Sequence, residues 1–372
     1  MESAMPHVEY RNVQKSYDGR TLVVEDLNLG VNQGEFLTLL GPSGSGKTTC
    51  LMMLAGFEQP SAGEILVNGA SVHDLPPDKR NIGVVFQNYA LFPHMTVGGN
   101  LAFPLEVRRT PAAERVERVG RALRLVQLEG FEDRRPGQLS GGQQQRVAIA
   151  RALVFEPELV LMDEPLGALD RRLREEMQFE IRRIHQELGV TVIYVTHDQQ
   201  EAMVMSDRVA VFRDGRIEQI ASPETLYEEP ERAFVANFIG ENNLLRACVT
   251  RTDGDICDVD TGSGVVRAFD VQGCAVGDDV ILAIRPERVG VQPDPGQYAN
   301  ELTAKALDVV FIGDHLRVRL QVGNNDGFIA KIPNIVGHGT VLPGDDVRIG
   351  WATLDGRALP PDPSVLQGNT EP

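Results

Sequence analysis

The octapeptide GPSGSGKT, Gly41 to Thr48, constrains this chain more than any other feature. It follows a short apolar stretch, FLTLL (Phe36–Leu40), and opens a helix-forming run. The pattern G-x4-G-K-[ST] between a strand and a helix is a loop whose backbone N–H groups cradle phosphates. Gly41 and Gly46 let the backbone curl, and the helix start behind them adds a favourable dipole. Lys47 brings a positive charge to β- and γ-phosphates, and Thr48 brings a hydroxyl ligand for Mg2+. Pro42, Ser43, Gly44, Ser45 and Thr49 complete the expected set. The loop is expected to bind ATP with Mg2+ on an α/β P-loop fold.

The flanking sequence keeps that pattern. LVLMDE (Leu159–Glu164) and VTVIYVTH (Val190–His197) are continuous apolar runs of strand length that end in polar residues. Buried parallel strands read this way, with function at their carboxyl ends. A long charged helix is expected between them, from about Arg171 to Leu188. Asp163, delivered by its strand, is expected in the magnesium shell. Glu164 is placed to polarise an attacking water as general base. In LSGGQQQR, Leu139–Arg146, the residues Ser140, Gly141 and Gly142 precede a helix and expose unsatisfied N–H groups, a second anion site. Arg146 is expected to order that helix rather than to act in catalysis.

At 372 residues the chain suits two domains. From about Asn243 the texture changes to short β-like pieces such as DVILAIRP and HLRVRLQV, separated by Gly- and Asp-rich turns. An all-β domain of about 115–130 residues is expected there. Ser222–Gly240 reads as a helical joint, and residues 361–372 as a disordered tail. No apolar run approaches the roughly 20 residues needed to span a bilayer. The start of the chain, MESAMPHVEY, lacks a signal pattern, so a cytosolic location is expected. Cys50, Cys248, Cys257 and Cys274 form no C-x-x-C pair, which argues against zinc and for reduced thiols. The balance of 53 acidic to 36 basic residues, net −17, is unfavourable for a polyphosphate backbone, so no nucleic-acid partner is expected.

With these pieces in place, LSGGQQQR resembles the signature motif of ATP-binding cassette (ABC) proteins, and the resemblance extends over residues 7–240. Gln87 in VVFQNYALFPHMTV resembles the Q-loop glutamine, Ala168-Leu169-Asp170 in EPLGALD the D-loop, His197 in YVTHDQQEA the switch histidine, and Tyr17 in VQKSYDG the A-loop aromatic. The resemblance implies a domain over 1–240: a RecA-like core with a helical subdomain at about 88–155 and an antiparallel β subdomain. Lys47, Gln87, Glu164 and His197 would be catalytic; Thr48, Gln87 and Asp163 would serve the metal. Tyr17 would stack on adenine. Ser140, Gly141 and Gly142 would complete the nucleotide site of a second copy in a head-to-tail homodimer with two composite sites, and Gln143 and Asp170 would also bind nucleotide.

Two classes of ABC protein compete. Nucleic-acid and translation machines usually carry coiled-coil insertions or two cassettes, and neither is present. The energy subunit of a membrane transporter needs separate permeases. Asn88–Met95, directly after Gln87, is apolar and aromatic enough either to dock such a partner or to pack under the helical subdomain. Residues 241–360 resemble the OB-like TOBE β-barrel behind bacterial importer cassettes, which either regulates or cements the dimer. FVANFIGENNLL, LAIRPERV and DVVFIGDHLRVRL, with PPDKRNIGVVFQNYALFPHMTV, resemble the spermidine/putrescine importer ATPases. That family implies polyamine uptake at the inner face of the membrane, with two permease subunits and a solute-binding protein. Ferric-ion, sugar, sulfate and phosphonate-type importers have similar cassettes. Arg285, Glu287 and Arg288 in IRPERV suit a salt-bridged corner or part of a ligand site.

Overall fold

The structure, a computed structural model, describes residues 5–334 and 341–365. Its two compact units divide between Glu224 and Thr225. The first unit is built on a six-stranded sheet. In spatial order the strands are Arg216–Ala221, Arg208–Arg213, Phe36–Leu40, Thr191–Thr196, Leu159–Asp163 and Ile82–Val85. The last five are parallel; the edge strand Arg216–Ala221 is antiparallel to its neighbour.

Burial explains the continuous apolar runs. Phe36, Val160, Met162, Val192 and Tyr194 enter one core. Their alternates Leu37, Leu39, Leu159, Leu161, Ile193 and Val195 enter another on the opposite face. Successive strand residues point to opposite faces, so a strand covered on both sides is apolar at nearly every position, with buried threonines such as Thr38 and Thr191 as the polar members. The first core is closed by the helices Val97–Val107, Ala112–Leu125, Gly141–Leu153 and Arg171–Leu188. The second is closed by the helix Lys47–Ala55 and an antiparallel sheet in the order Leu22–Val31, Val8–Ser16, Ala62–Val67, Ala70–Ser71. The core, helical and antiparallel parts expected of a cassette are all present. The helix Arg171–Leu188 has the expected bounds: Asp170 caps it by accepting from Leu173 N, and Gly189 ends it at φ 62°.

In the second unit, Asn243–Asp253, Ile256–Asp260, Val265–Asp270, Gly356–Leu359 and Asp279–Ile284 close a barrel. The expected β half also contains a further sheet, in the order Gly290–Val291, Asp346–Trp351, Asn300–Phe311, His315–Val322, Asn325–Pro333. Barrel and sheet share one core, in which Trp351 lies 6.3 Å from Phe328. The division between units falls inside the expected joint Ser222–Gly240, ahead of the expected domain boundary at 240. Arg285 is the reason: its guanidinium donates to the carbonyls of Tyr227 (2.8 Å), Ile239 (2.5 Å) and Glu241 (3.1 Å), binding residues 225–240 to the β unit. Arg288 pairs with Glu228 at 2.9 Å and Tyr227 donates to Glu287, so IRPERV forms a bonded corner. Residues 361–365, expected to begin a disordered tail, are placed: Val365 is buried with Ala233, Ile281 and Leu359. The remainder of that tail lies outside the described residues.

Candidate functional site

Four neighbouring parallel strands bring the predicted residues to one edge of the sheet. Phe36–Leu40 ends at the phosphate loop, Thr191–Thr196 at His197, Leu159–Asp163 at Asp163 and Glu164, and Ile82–Val85 two residues before Gln87. Parallel strands put all these carboxyl ends on the same side, where open α/β sheets bind ligands.

The loop is closely fitted to the backbone around it. Gly46 sits at φ 98° before the helix Lys47–Ala55. A Cβ on Gly41 would stand 2.3 Å from the Phe212 carbonyl oxygen, and one on Gly46 2.6 Å from that of Val23. The Lys47 ammonium is buried and donates to the Pro42 carbonyl at 2.8 Å and to Ser45 Oγ at 3.2 Å. Burial lowers its pKa, while Glu164 and Asp163 pull it back up. The loop's tip, Pro42, Ser43 and Gly44, is exposed, as a phosphate cradle requires.

Thr48 Oγ1 donates to Asp163 Oδ1 at 2.8 Å, joining the two oxygen donors expected at the cation. Among the described residues no cluster of three or more His, Cys, Asp or Glu could hold a metal alone. A hard divalent cation here would therefore share its shell with phosphate oxygens. Asp163 is only 9% exposed, and desolvation raises its pKa against the lowering effect of the Thr48 hydrogen bond. Its ionised form is the disfavoured one. The destabilisation is absent below about pH 4, the ordinary carboxylate range, and grows as pH rises through the raised value. Asp163→Asn keeps an acceptor for Thr48 and removes that charge. It should raise the Tm of the nucleotide-free chain at pH 7, with the gain vanishing near pH 4. An equal or lower Tm at pH 7 would contradict the account.

Glu164 follows in the left-handed region, φ 42°, anchored by its N–H to the Val195 carbonyl at 3.0 Å. Strain of this kind in a residue with a side chain persists only where its surroundings fix it. Its two oxygens face His197 Nδ1 at 3.1 Å and Gln87 Nε2 at 3.3 Å. A carboxylate only accepts, so Nδ1 carries the proton in that contact. The turn bearing His197 is braced by residues the sequence did not single out. Asp198 accepts from the N–H groups of Gln200 and Glu201. Arg174 binds Asp198 at 3.1 Å, and Tyr194 and Thr196 both donate to Glu201 at 2.7 Å. A buried acid in a helix and an arginine on another carry no local pattern that announces such a brace.

The other predicted residues lie apart from this cluster. Ser140 and Gln143 form a reciprocal capping box, Ser140 Oγ accepting from Gln143 N and Gln143 Oε1 from Ser140 N. Among the described residues no hydrogen bond or ion pair links residues 140–143 to the phosphate loop. Asp170 serves as a helix cap. Tyr17 is 60% exposed, with Lys15 Nζ 4.7 Å from its ring centroid. Of the segment after Gln87, Tyr89 is buried and Leu91 packs on the helical core, while Phe92 lies edge-on to Phe103 at 4.9 Å.

Comparison with known proteins places this geometry in context. The family described as ABC transporter matches residues 24–167, and the TOBE domain matches residues 282–359. The spermidine/putrescine import ATP-binding protein PotA of Rubrobacter xylanophilus is 46% identical over 92% of this chain and 91% of its own. That of Pseudomonas aeruginosa is 44% identical over 93% and 96%. Among solved structures, a dimeric post-hydrolysis ATP-binding cassette, MJ0796 bound to ADP and phosphate, superposes with TM-score 0.53 at 36% identity, covering 58% of this chain and 98% of that one. Cassette cbiO1 of Clostridium perfringens, part of the cbiONQ transporter complex, gives 0.56 at 30%, covering 60% and 91%.

Proposed function

Since the chain belongs to the ABC transporter family, as an ATP-binding subunit with a TOBE domain, we propose that it drives a polyamine importer as a head-to-tail pair of identical cassettes. It is an ABC-type ATPase. Among the described residues no helix is long and apolar enough to cross a membrane. In our reading two permease subunits supply the path, a solute-binding protein delivers spermidine or putrescine, and this chain works at the cytoplasmic face.

One observation carries the catalytic reading: the Glu164 carboxylate is held between Gln87 and His197 next to the Thr48–Asp163 pair. Lys47 and the loop N–H groups bind the phosphates. Tyr17 presents its ring to adenine. Thr48 and Asp163, with Gln87 at the edge of the shell, would hold Mg2+, which would neutralise phosphate charge there. Glu164 takes the proton of the attacking water, oriented by Gln87, and His197 turns toward the γ-phosphate.

The capped helix start Ser140–Gly142, with Gln143 and with Asp170, completes the site of the partner cassette. This is consistent with its separation from the loop of its own chain and with the dimeric state of MJ0796. The γ-phosphate then bridges two copies and its loss releases them, a ligand-driven switch. The first unit, up to Glu224, does this work, and the unit that carries the TOBE domain regulates it.

The solute is tested by uptake of labelled spermidine, putrescine, ferric ion and sugars in cells lacking the chain. Polyamine uptake should fall to background and return with the wild-type gene. Unchanged polyamine uptake would reject the solute and leave the ATPase reading standing.

A further inference from the structure

Gln87 reaches Glu164 from a short strand through a loop whose path is unusual. Two consecutive residues after it, Tyr89 at φ 62° and Ala90 at φ 47°, occupy the left-handed region without being glycine. L-residues with side chains visit this region as isolated positions, and two in a row need an external hold. Arg151 provides one. It lies in the last turn of the helix Gly141–Leu153, whose first turn carries Ser140–Gly142 at the cap. Its guanidinium donates from Nη1 to the Ala90 carbonyl at 2.7 Å and from Nη2 to the Tyr89 carbonyl at 2.8 Å. The fork thus spans both strained peptides, and its Cζ lies 5.7 Å from the Phe92 ring centroid.

A second contact fixes the same helix upstream of Gln87. Gly83, in the strand Ile82–Val85, lies so close to the helix end that a Cβ would stand 2.5 Å from the Ala152 carbonyl oxygen. Gln87 is therefore bracketed. Four residues before it the strand is seated on Ala152, and two and three residues after it the chain is clamped by Arg151.

We propose that Arg151 is a positioning residue for ATP hydrolysis: by clamping Tyr89 and Ala90 to the signature helix it holds Gln87 against Glu164, so a displacement of that helix reaches the Glu164 carboxylate through Gln87. The inference rests on the catalytic reading above and adds a route from the face that meets the second cassette. Lysine cannot reproduce the fork, because a single ammonium replaces a planar guanidinium with two aligned donors.

The test is a double-mutant cycle in ATPase activity of the full-length chain. Arg151→Ala should lower kcat on the order of 10- to 100-fold through misplacement of Gln87, with KM for ATP changed by less than about threefold. Arg151→Lys should recover part of the loss. In a Gln87→Ala background the same Arg151 substitutions should cause little further loss, because the group they position is gone. Amide hydrogen exchange over residues 88–92 should quicken in Arg151→Ala while the phosphate-loop helix stays protected. If the losses multiply in the double variants, or if Arg151→Lys and Arg151→Ala turn over at the wild-type rate, the inference is wrong. Should Arg151→Ala not fold, the Arg151→Lys and Gln87→Ala cycle decides alone. Glu164→Gln separates the two levels. Continued turnover in that variant refutes the reading of the site, whereas its silence beside fully active Arg151 variants refutes only the clamp.

Discussion

Glu164→Gln will abolish turnover while ATP still binds. The amide has nearly the shape of the carboxylate, so the strained turn and the packing around it are retained. What is lost is the proton acceptor, and general-base contributions run to roughly 100- to 10,000-fold in rate. The geometry sharpens the expectation for binding. In the wild type His197 Nδ1 faces a carboxylate oxygen at 3.1 Å and must donate to it. In the variant the glutamine carbonyl can accept from Gln87 while its NH2 donates to Nδ1. Neutral His197 then carries its proton on Nε2, the nitrogen free to donate to a phosphate. ATP affinity should therefore equal or exceed that of the wild type, and ATP should hold two copies together. Size-exclusion with ATP and with ADP reads this directly. Wild-type hydrolysis in Glu164→Gln would remove Glu164 from the role of base.

Gly41→Ala will remove nucleotide binding by distorting the loop. The Phe36–Leu40 strand, which runs into Gly41, pairs with the Arg208–Arg213 strand, with Leu40 opposite Val211. The added Cβ would meet the Phe212 carbonyl oxygen at 2.3 Å and its carbon at 3.1 Å. Both are backbone atoms of a central strand, which cannot yield without breaking ladder hydrogen bonds. Overpacking of this kind costs about 1–3 kcal/mol or more, and a loop displaced by it should lose affinity on the order of 100-fold. Gly44→Ala is the contrast. At φ 79° with nothing within 4 Å of a Cβ, it carries only a backbone penalty of roughly 1–2 kcal/mol. Equilibrium binding of a fluorescent ATP analogue should rank wild type above Gly44→Ala and Gly44→Ala well above Gly41→Ala. Equal losses in the two variants would contradict the steric account.

This contrast also shows what the sequence could convey. The two glycines demanded by the loop spacing, Gly41 and Gly46, are the ones whose Cβ would strike neighbouring backbone. The apolar runs ending at Asp163 and Thr196 were legible because burial on both faces removes polar residues from a strand. The helix Arg171–Leu188 was legible from its periodicity and its length. Other features left no such trace. Ile82–Val85 is only four residues long, and its partner Leu159–Asp163 is remote in the chain. Nothing in EPLGALD states that Glu164 adopts φ 42°, because the neighbouring strand imposes it through Val195. Arg151 and Arg285 each bind distant carbonyls, and a carbonyl has no residue identity that a pattern can match. The same physics put the division between units at Glu224 rather than at residue 240 and placed a second sheet on the core of the barrel.

Asp163 has a practical consequence for anyone who would improve this protein. It is a buried carboxylate whose charged form burial disfavours, kept beside Thr48 where we propose the cation binds. Laboratory evolution scored by survival after heating would collect substitutions there early and report them as gains. Under the cation-binding role proposed for Asp163, each such winner would be sturdier on the bench and unable to turn over ATP. Selection on this scaffold must therefore be scored by work done, since robustness alone leads away from it.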